Sequence, residues 1–140
     1  MMIKAVRLTI LGEPASKANS RRIVTIGGRP ASIKSAKASA YASAAQLQIP
    51  ALARVMFEGP VCVTMTIYYA SERPDLDESL ILDVMQAQYA GAGKSRVCVR
   101  RGVYRNDRQV RERHIYHRID RINPRAEIEV KLIGSAELLA

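Results

Sequence analysis

Apolar and polar positions alternate most clearly in the segment "GPVCVTMTIYYA". In an extended chain, successive side chains point to opposite sides, so every second residue shares a face. One face of this segment carries Val61, Val63, Met65 and Ile67. The other carries Cys62, Thr64, Thr66 and Tyr68. The pattern predicts a half-buried strand in the middle of the chain.

Further strand patterns lie on both sides of this segment. A β-branched stretch from Ile3 to Leu11 predicts a first strand, and a polar loop from 12 to 22 follows it. Residues 21–33 predict a hairpin that turns at Gly27-Gly28. Residues 89–96 read as a loop, and a short hairpin is expected around Arg101-Gly102. Two late strands, 109–120 and 126–134, are joined by a turn at Asn123-Pro124.

Two segments have helical spacing. The first covers 32–49, and Pro50 ends it. Its apolar face comprises Ala38, Tyr41, Ala42, Ala45 and Ile49. The second helix is expected from about Glu78 to Gln88. Together these elements predict one α+β domain over residues 1–140, with two main helices packed on a small mixed sheet.

The charge balance is strongly basic. The 140 residues include 22 Lys and Arg against 13 Asp and Glu, which gives a net charge of +9. A polyanionic partner, above all nucleic acid, is one explanation, and a basic surface that serves only solubility is the other. Lys34 and Lys37 lie near the expected start of the first helix. Free N–H groups there favour a phosphate, although two solvated lysines are equally compatible.

The remaining composition favours a cytoplasmic protein without a membrane segment. No apolar run approaches the roughly 18 residues that a membrane span needs. The first residues resemble a strand more than a signal peptide, because Lys4 and Arg7 interrupt the apolar stretch. Cys62 and Cys98 have no metal-ligand spacing, so we expect reduced thiols.

Acidic residues concentrate directly after the central strand. Five of the 13 acids fall within twelve residues: Glu72, Asp75, Asp77, Glu78 and Asp83. Asp75 and Asp77 would share one side of an extended chain. Such a carboxylate pair suits Mg²⁺ or Mn²⁺, and Asp107 or Asp83 could add a further ligand. Alternatively, these acids only cap the second helix, where negative charge is stabilising.

Other apparent motifs carry less weight. "AGAGKS" resembles a phosphate-binding loop, but Gln88 stands where the full pattern requires glycine. His114 and His117 lie three residues apart, so on a strand they face opposite sides and do not form a joint metal site. No nucleophile and base are spaced for covalent catalysis.

The order of several motifs resembles the RusA family of Holliday-junction resolvases. The resemblance covers about 12–130 through "GEPASKANSRR", "RPDLD", "LDVMQ" and "GVYRNDRQV". It implies a homodimeric, often phage-borne bacterial enzyme that cuts four-way DNA junctions with Mg²⁺. The family's three catalytic, metal-binding aspartates fall on Asp75, Asp77 and Asp107. In such an enzyme, activated water attacks a phosphodiester and leaves a 5′-phosphate.

The resemblance also implies a DNA-binding set. Its N-terminal loop matches Lys17, Asn19, Arg21 and Arg22. The other basic candidates are Lys34, Lys37, Arg73, Lys94, Arg100 and Arg101. The family's pattern continues with Asn and then a lysine thought to help catalysis, but this chain has Glu78 and "SLIL". Arg73, Lys94 or Arg100 could take the place of that lysine, and Asp83 could support the metal ligands.

The missing lysine keeps two other hypotheses open. A protein with a degenerate resolvase fold could bind branched DNA without cutting it. A small basic structural protein, whose acids serve only as helix caps, is the third reading.

Overall fold

The computed structural model describes residues 3–16 and 21–134 and contains eight strands and two α-helices in that part of the chain. The strands are β1 (Ala5–Leu11), β2 (Arg21–Ile26), β3 (Arg29–Lys34), β4 (Val61–Tyr69), β5 (Gln88–Ala90), β6 (Val97–Arg100), β7 (Val110–Ile119) and β8 (Arg125–Leu132). The helices are α1 (Ala36–Gln48) and α2 (Ser79–Met85). The predicted α+β class is confirmed.

Four strands form one mixed sheet in the order β1-β8-β4-β7. β8 is antiparallel to both β1 and β4, whereas β7 runs parallel to β4. The register aligns Leu8 with Ile128 and Ile128 with Met65, and all three side chains are buried. Because directly paired residues point to the same face, one sheet face carries the core. The alternation predicted for β4 is confirmed in full.

Helix α1 packs its small residues against this core. Ala38, Tyr41 and Ala45 are buried, as the helical spacing predicts. The helix begins four residues later than expected, because Ser35 caps it and accepts a hydrogen bond from the Ala38 N–H at 3.1 Å. Lys34 therefore ends strand β3 and does not stand in the first helical turn, where it was expected.

Helix α2 ends at Met85, three residues before the predicted end at Gln88. The backbone groups at and just after its end form hydrogen bonds with residues 103 and 104. The Met85 carbonyl accepts from the Val103 N–H at 2.8 Å, and the Ala87 N–H donates to the Tyr104 carbonyl at 3.0 Å. These bonds to a segment distant in the sequence replace the helical hydrogen bonds. They tie residues 85–87 to residues 103–104.

The predicted loop is confirmed over 91–96, where it connects two short strands, but residues 89–90 belong to β5 and the predicted hairpin at Arg101-Gly102 is wrong. Strand β6 pairs antiparallel with β5, so the hairpin turns within residues 91–96. Gly102 lies instead against the end of α2, where a Cβ would stand 2.5 Å from the Met85 carbonyl oxygen and 2.6 Å from the Gln86 carbonyl carbon. This close approach leaves no room for a side chain at residue 102. The β2–β3 hairpin at Gly27-Gly28 is confirmed, with positive φ at both glycines.

Neither α1 nor α2 is long and apolar enough to cross a membrane, and the described ranges contain no other helix that could. Cys62 and Cys98 are both free thiols.

A candidate metal and nucleic-acid site

The acidic segment is held by a tyrosine from the end of β4. The Tyr69 hydroxyl donates to the Asp75 carbonyl and accepts from the Asp77 N–H, both at 3.1 Å. Sequence reasoning did not single out Tyr69, although its place on the buried side of β4 is visible in the alternation. The path of residues 75–77 is therefore fixed from the core of the sheet.

A histidine from β7 supports the same segment. The His117 ring stacks on Tyr69 with 4.6 Å between ring centroids, and its Nε2 lies 3.2 Å from the Pro74 carbonyl oxygen. His114, on the same strand, is exposed. From the sequence, His117 was considered only as a partner of His114. Its contact with Pro74 could not be predicted, because it depends on the parallel pairing of β4 and β7. It acts on the acidic segment through the backbone.

Asp77 serves the start of α2. Its Oδ1 accepts a hydrogen bond from the Ser79 N–H at 3.0 Å and another from the Ser79 hydroxyl. Asp77 thus bonds the first residue of α2 from outside the helix, whereas the N-cap residue is Glu78, which makes no side-chain capping bond. Glu78, which stands where the resembled family has Asn, forms an ion pair with Arg113 at 3.3 Å.

Asp75 lines a different hollow from Asp83. This hollow, about 330 Å³ in volume, is also lined by Glu13, Lys37 and Arg73. Two of the predicted DNA-binding residues, Lys37 and Arg73, thus lie beside one of the predicted metal ligands. Arg73 is not among the residues that line the two hollows at Asp83.

Asp83 and Asp107 are brought together from distant parts of the sequence. Their carboxyl groups lie within hydrogen-bonding reach of each other. Burial raises the pKa of Asp83, and the charge of Asp107 raises it further, whereas Lys34 and Arg21 act in the opposite direction. The structure therefore pairs Asp107 with Asp83, which the sequence left between a supporting and a structural role.

Local hydrogen bonds position Asp107. Its N–H donates to Gln86 Oε1 at 3.1 Å, just beyond the end of α2. Asn106 caps the short 3₁₀ turn 107–109 and accepts from the Arg108 N–H at 2.9 Å. The early end of α2 and this cap together place Asp107 beside the helix that carries Asp83.

Basic residues from both hairpins line the cleft at Asp83. On one side, Arg21 and Lys34 line a hollow with Ser79 and Asp83. On the other, Lys34 and Arg100 line a hollow of about 360 Å³ that also reaches Asp83. Of the three residues considered in place of the family's lysine, Arg100 is the one that lines this cleft. Lys34 lines both hollows.

Asp83 and Asp107 supply two of the oxygen ligands that a hard divalent cation needs. Carboxylate oxygens are the ligands that Mg²⁺ and Mn²⁺ prefer, and two adjacent carboxyl groups repel when both are ionised. Within residues 3–16 and 21–134, no three His, Cys, Asp or Glu side chains are gathered as a complete metal-ligand group. Asp75 and Asp77 are thus not assembled with Asp107 into such a group.

The other predicted DNA-binding residues are distributed as follows. Lys17 and Asn19 lie outside the described residues. Arg22 on β2 and Lys94 on the β5–β6 turn are exposed. Arg101 has a structural contact, because its Nε donates to the Arg54 carbonyl at 3.3 Å. Sequence reasoning missed Arg96, whose guanidinium stacks over the Tyr89 ring at 4.3 Å.

No protein-family model matches this chain, and no curated protein matches it significantly.

Proposed function

We propose that this protein is a Mg²⁺-dependent endodeoxyribonuclease that resolves Holliday junctions and other branched DNA, as the resemblance to the RusA family implies. One observation carries the proposal: Asp83, which lines a cleft with Arg21, Lys34 and Arg100, has the carboxyl group of Asp107 as its neighbour. Adjacent carboxylates suit a divalent cation, and the surrounding cations suit the phosphates of its substrate.

The metal would be held by Asp83 at this cleft and by aspartates near it. Asp107 and Asp77 belong to the set that the resemblance implies, and the contact with Asp107 makes Asp83 a direct partner of that set. Asp75 lines the neighbouring hollow and is the member that the arrangement supports least. When bound, Mg²⁺ would lower the pKa of a coordinated water and would neutralise charge on the phosphodiester.

The chain's other residues have positioning roles in this proposal. Tyr69 and His117 hold the backbone on which Asp75 and Asp77 stand. Lys34 and Arg100, at the rim of the cleft, attract and orient the phosphate backbone by charge. Since the chain carries a net charge of +9, DNA binding should weaken steeply as salt rises.

The proposal includes a homodimer in a bacterial or phage-infected cytoplasm. Cutting two symmetric strands requires two sites related by a two-fold axis, and a dimer provides them. Sedimentation of the purified protein tests the dimer separately from its activity. A monomer that still cuts junctions would remove the dimer from the proposal.

The test is a labelled four-way junction incubated with the protein and Mg²⁺. The proposal predicts paired nicks with 5′-phosphate ends. Asp77→Asn should abolish cutting and leave junction binding nearly unchanged, because it removes a carboxylate and no cation. Normal cutting by Asp77→Asn would exclude Asp77 as a metal ligand and would leave Asp83 and Asp107 as the candidates.

The second candidate is a protein that binds branched DNA without cutting it. Two observations favour it: the Asp77 carboxylate is engaged by Ser79 at the start of α2, and no lysine follows it at the family's position. Junction binding without cleavage in either Mg²⁺ or Mn²⁺ would support this candidate and exclude the enzyme.

A further inference from the structure

The β5–β6 hairpin leaves the body of the protein. Every residue from 90 to 101 is exposed. Val97 and Val99, on the same side of β6, are 57% and 60% exposed. A two-stranded hairpin is marginally stable in water by itself. Two exposed valines on such a hairpin are consistent with a surface that a partner covers.

The hairpin's charge indicates an anionic partner. Residues 88–101 contain Lys94, Arg96, Arg100 and Arg101 and no Asp or Glu. The β2–β3 hairpin, residues 21–34, likewise contains four basic residues and no acid. In this basic chain, all 13 acids thus lie outside the two hairpins. An even mixture of charges would be expected if the hairpins served solubility alone.

The two hairpins meet at the same cleft. Lys34 ends β3, Arg100 ends β6, and both line the hollow that reaches Asp83. A strand of nucleic acid bound in this hollow would therefore contact both hairpins. Near the hairpin turn, the Arg96 guanidinium lies over the Tyr89 ring, 4.3 Å from its centroid. An aromatic ring with a stacked guanidinium is a surface that suits phosphates and unstacked bases.

We infer that the β5–β6 hairpin is a second nucleic-acid-binding arm, which holds the DNA backbone across the cleft from the β2–β3 hairpin. The inference rests on the proposed function, since it takes DNA as the ligand. It extends that function by assigning binding to one structural unit, residues 88–100, and by adding Arg96 and Tyr89 to its contacts. An acidic protein surface is the competing partner, and the arm's stacked Arg96–Tyr89 pair favours nucleic acid over it.

The experiment measures DNA binding without metal, so that it does not depend on cleavage. The triple variant Lys94→Gln, Arg96→Gln, Arg100→Gln is compared with a control, Lys4→Gln, Arg121→Gln, Lys131→Gln. Both lose three positive charges, and the control residues are exposed before β1, in the β7–β8 turn and on the outer face of β8. Dissociation constants for a fluorescent four-way junction are measured with EDTA over a series of salt concentrations.

The arm variant should bind at least about tenfold more weakly at low salt. The slope of its log binding constant against log salt concentration should become shallower by about one for each lost phosphate contact. The control should stay within about threefold of wild type, since its charges act only at long range. Equal behaviour of the two variants would overturn the inference. Failure of the wild type to bind any DNA at low salt would also overturn it and would favour the acidic protein.

A single substitution guards against misfolding of the triple variant. Lys94→Glu changes an exposed turn residue and is compared with Lys4→Glu. It should weaken junction binding more than its control does, and equal weakening would again overturn the inference. Cleavage is scored in parallel. A wild type that binds through the arm and never cuts contradicts the proposed function alone, whereas cutting with an unimportant arm contradicts the inference alone.

Discussion

The carboxyl group of Asp83, on helix α2, lies within hydrogen-bonding reach of that of Asp107, on a turn before β7. Burial and the neighbouring charge both raise the pKa of Asp83, although the residue remains open to solvent on one side. Ionisation of Asp83 is thus opposed by the fold. Pairs that cost stability are common where a protein uses them for binding or catalysis.

Asp83→Asn should stabilise the metal-free protein at neutral pH. The folded pKa of Asp83 is raised, so the folded state binds more protons than the unfolded state, and its stability falls as pH rises through that pKa. The substitution removes this loss. Urea unfolding from pH 4 to pH 8 should show a gain that grows with pH.

Asp120→Asn is the matched control, with the opposite sign. The Asn123 N–H and Arg125 lower the pKa of Asp120. Its stabilisation is present above the ordinary pKa and is lost as pH falls through the folded pKa. Asp120→Asn should therefore destabilise the protein at neutral pH. A loss of stability at neutral pH in Asp83→Asn as well would contradict the repulsion argued for the acidic pair.

Tyr69→Phe should destabilise the protein, and Tyr41→Phe should not. Tyr69 bonds to both Asp75 and Asp77, so its loss should cost about 1–3 kcal/mol in the free energy of unfolding. The Tyr41 hydroxyl is buried and has no hydrogen-bond partner within the described residues. Its removal should be neutral or stabilising. Equal costs in denaturant unfolding would mean that the Tyr69 bonds do not hold the acidic segment.

Mg²⁺ should raise the melting temperature of the wild type. At ten times its dissociation constant, a ligand adds about 1.4 kcal/mol to the free energy of unfolding. Asp107→Asn should lose this increment, whereas Asp120→Asn, away from the cleft, should keep it. Scanning calorimetry with and without Mg²⁺ makes the measurement, and an unchanged increment in Asp107→Asn would exclude Asp107 as a ligand.

Gly102→Ala should destabilise the protein by about 1–3 kcal/mol or more, as overpacked sites do. A Cβ there would meet the backbone of residues 85–87. Gly59→Ala, where the nearest atom is 3.8 Å away, should be nearly neutral in the same thermal or urea unfolding experiment. A neutral Gly102→Ala would mean that the junction between α2 and residues 103–104 can shift.

The elements that the sequence predicts best are those with strong local patterns. The alternation from Val61 to Ile67 is a local property, and so are the turn at Gly27-Gly28 and the helical face of Ala38, Tyr41 and Ala45. Each survives in the structure because tertiary packing agrees with the local pattern. Tyr69 follows the same alternation, so its burial could have been predicted.

The remaining features depend on tertiary contacts. Strand β5 has only three residues beside the glycines Gly91 and Gly93, and β6 alternates two valines with Cys98 and Arg100, which is too short a pattern to indicate pairing. The early end of α2 depends on bonds to residues 103 and 104. The meeting of Asp83 with Asp107 follows from that contact, so the sequence could name both acids without pairing them.

The most direct measurement is cleavage of a labelled four-way junction by wild type and Asp107→Asn under single-turnover conditions with Mg²⁺, beside junction binding by both in EDTA. The account predicts paired nicks by the wild type. It predicts a rate at least about a hundredfold lower for Asp107→Asn, since even indirect partners of a metal are worth 10- to 100-fold, with binding kept. Junction binding by the wild type without any nicks, or equal cutting rates for the two proteins, would contradict it.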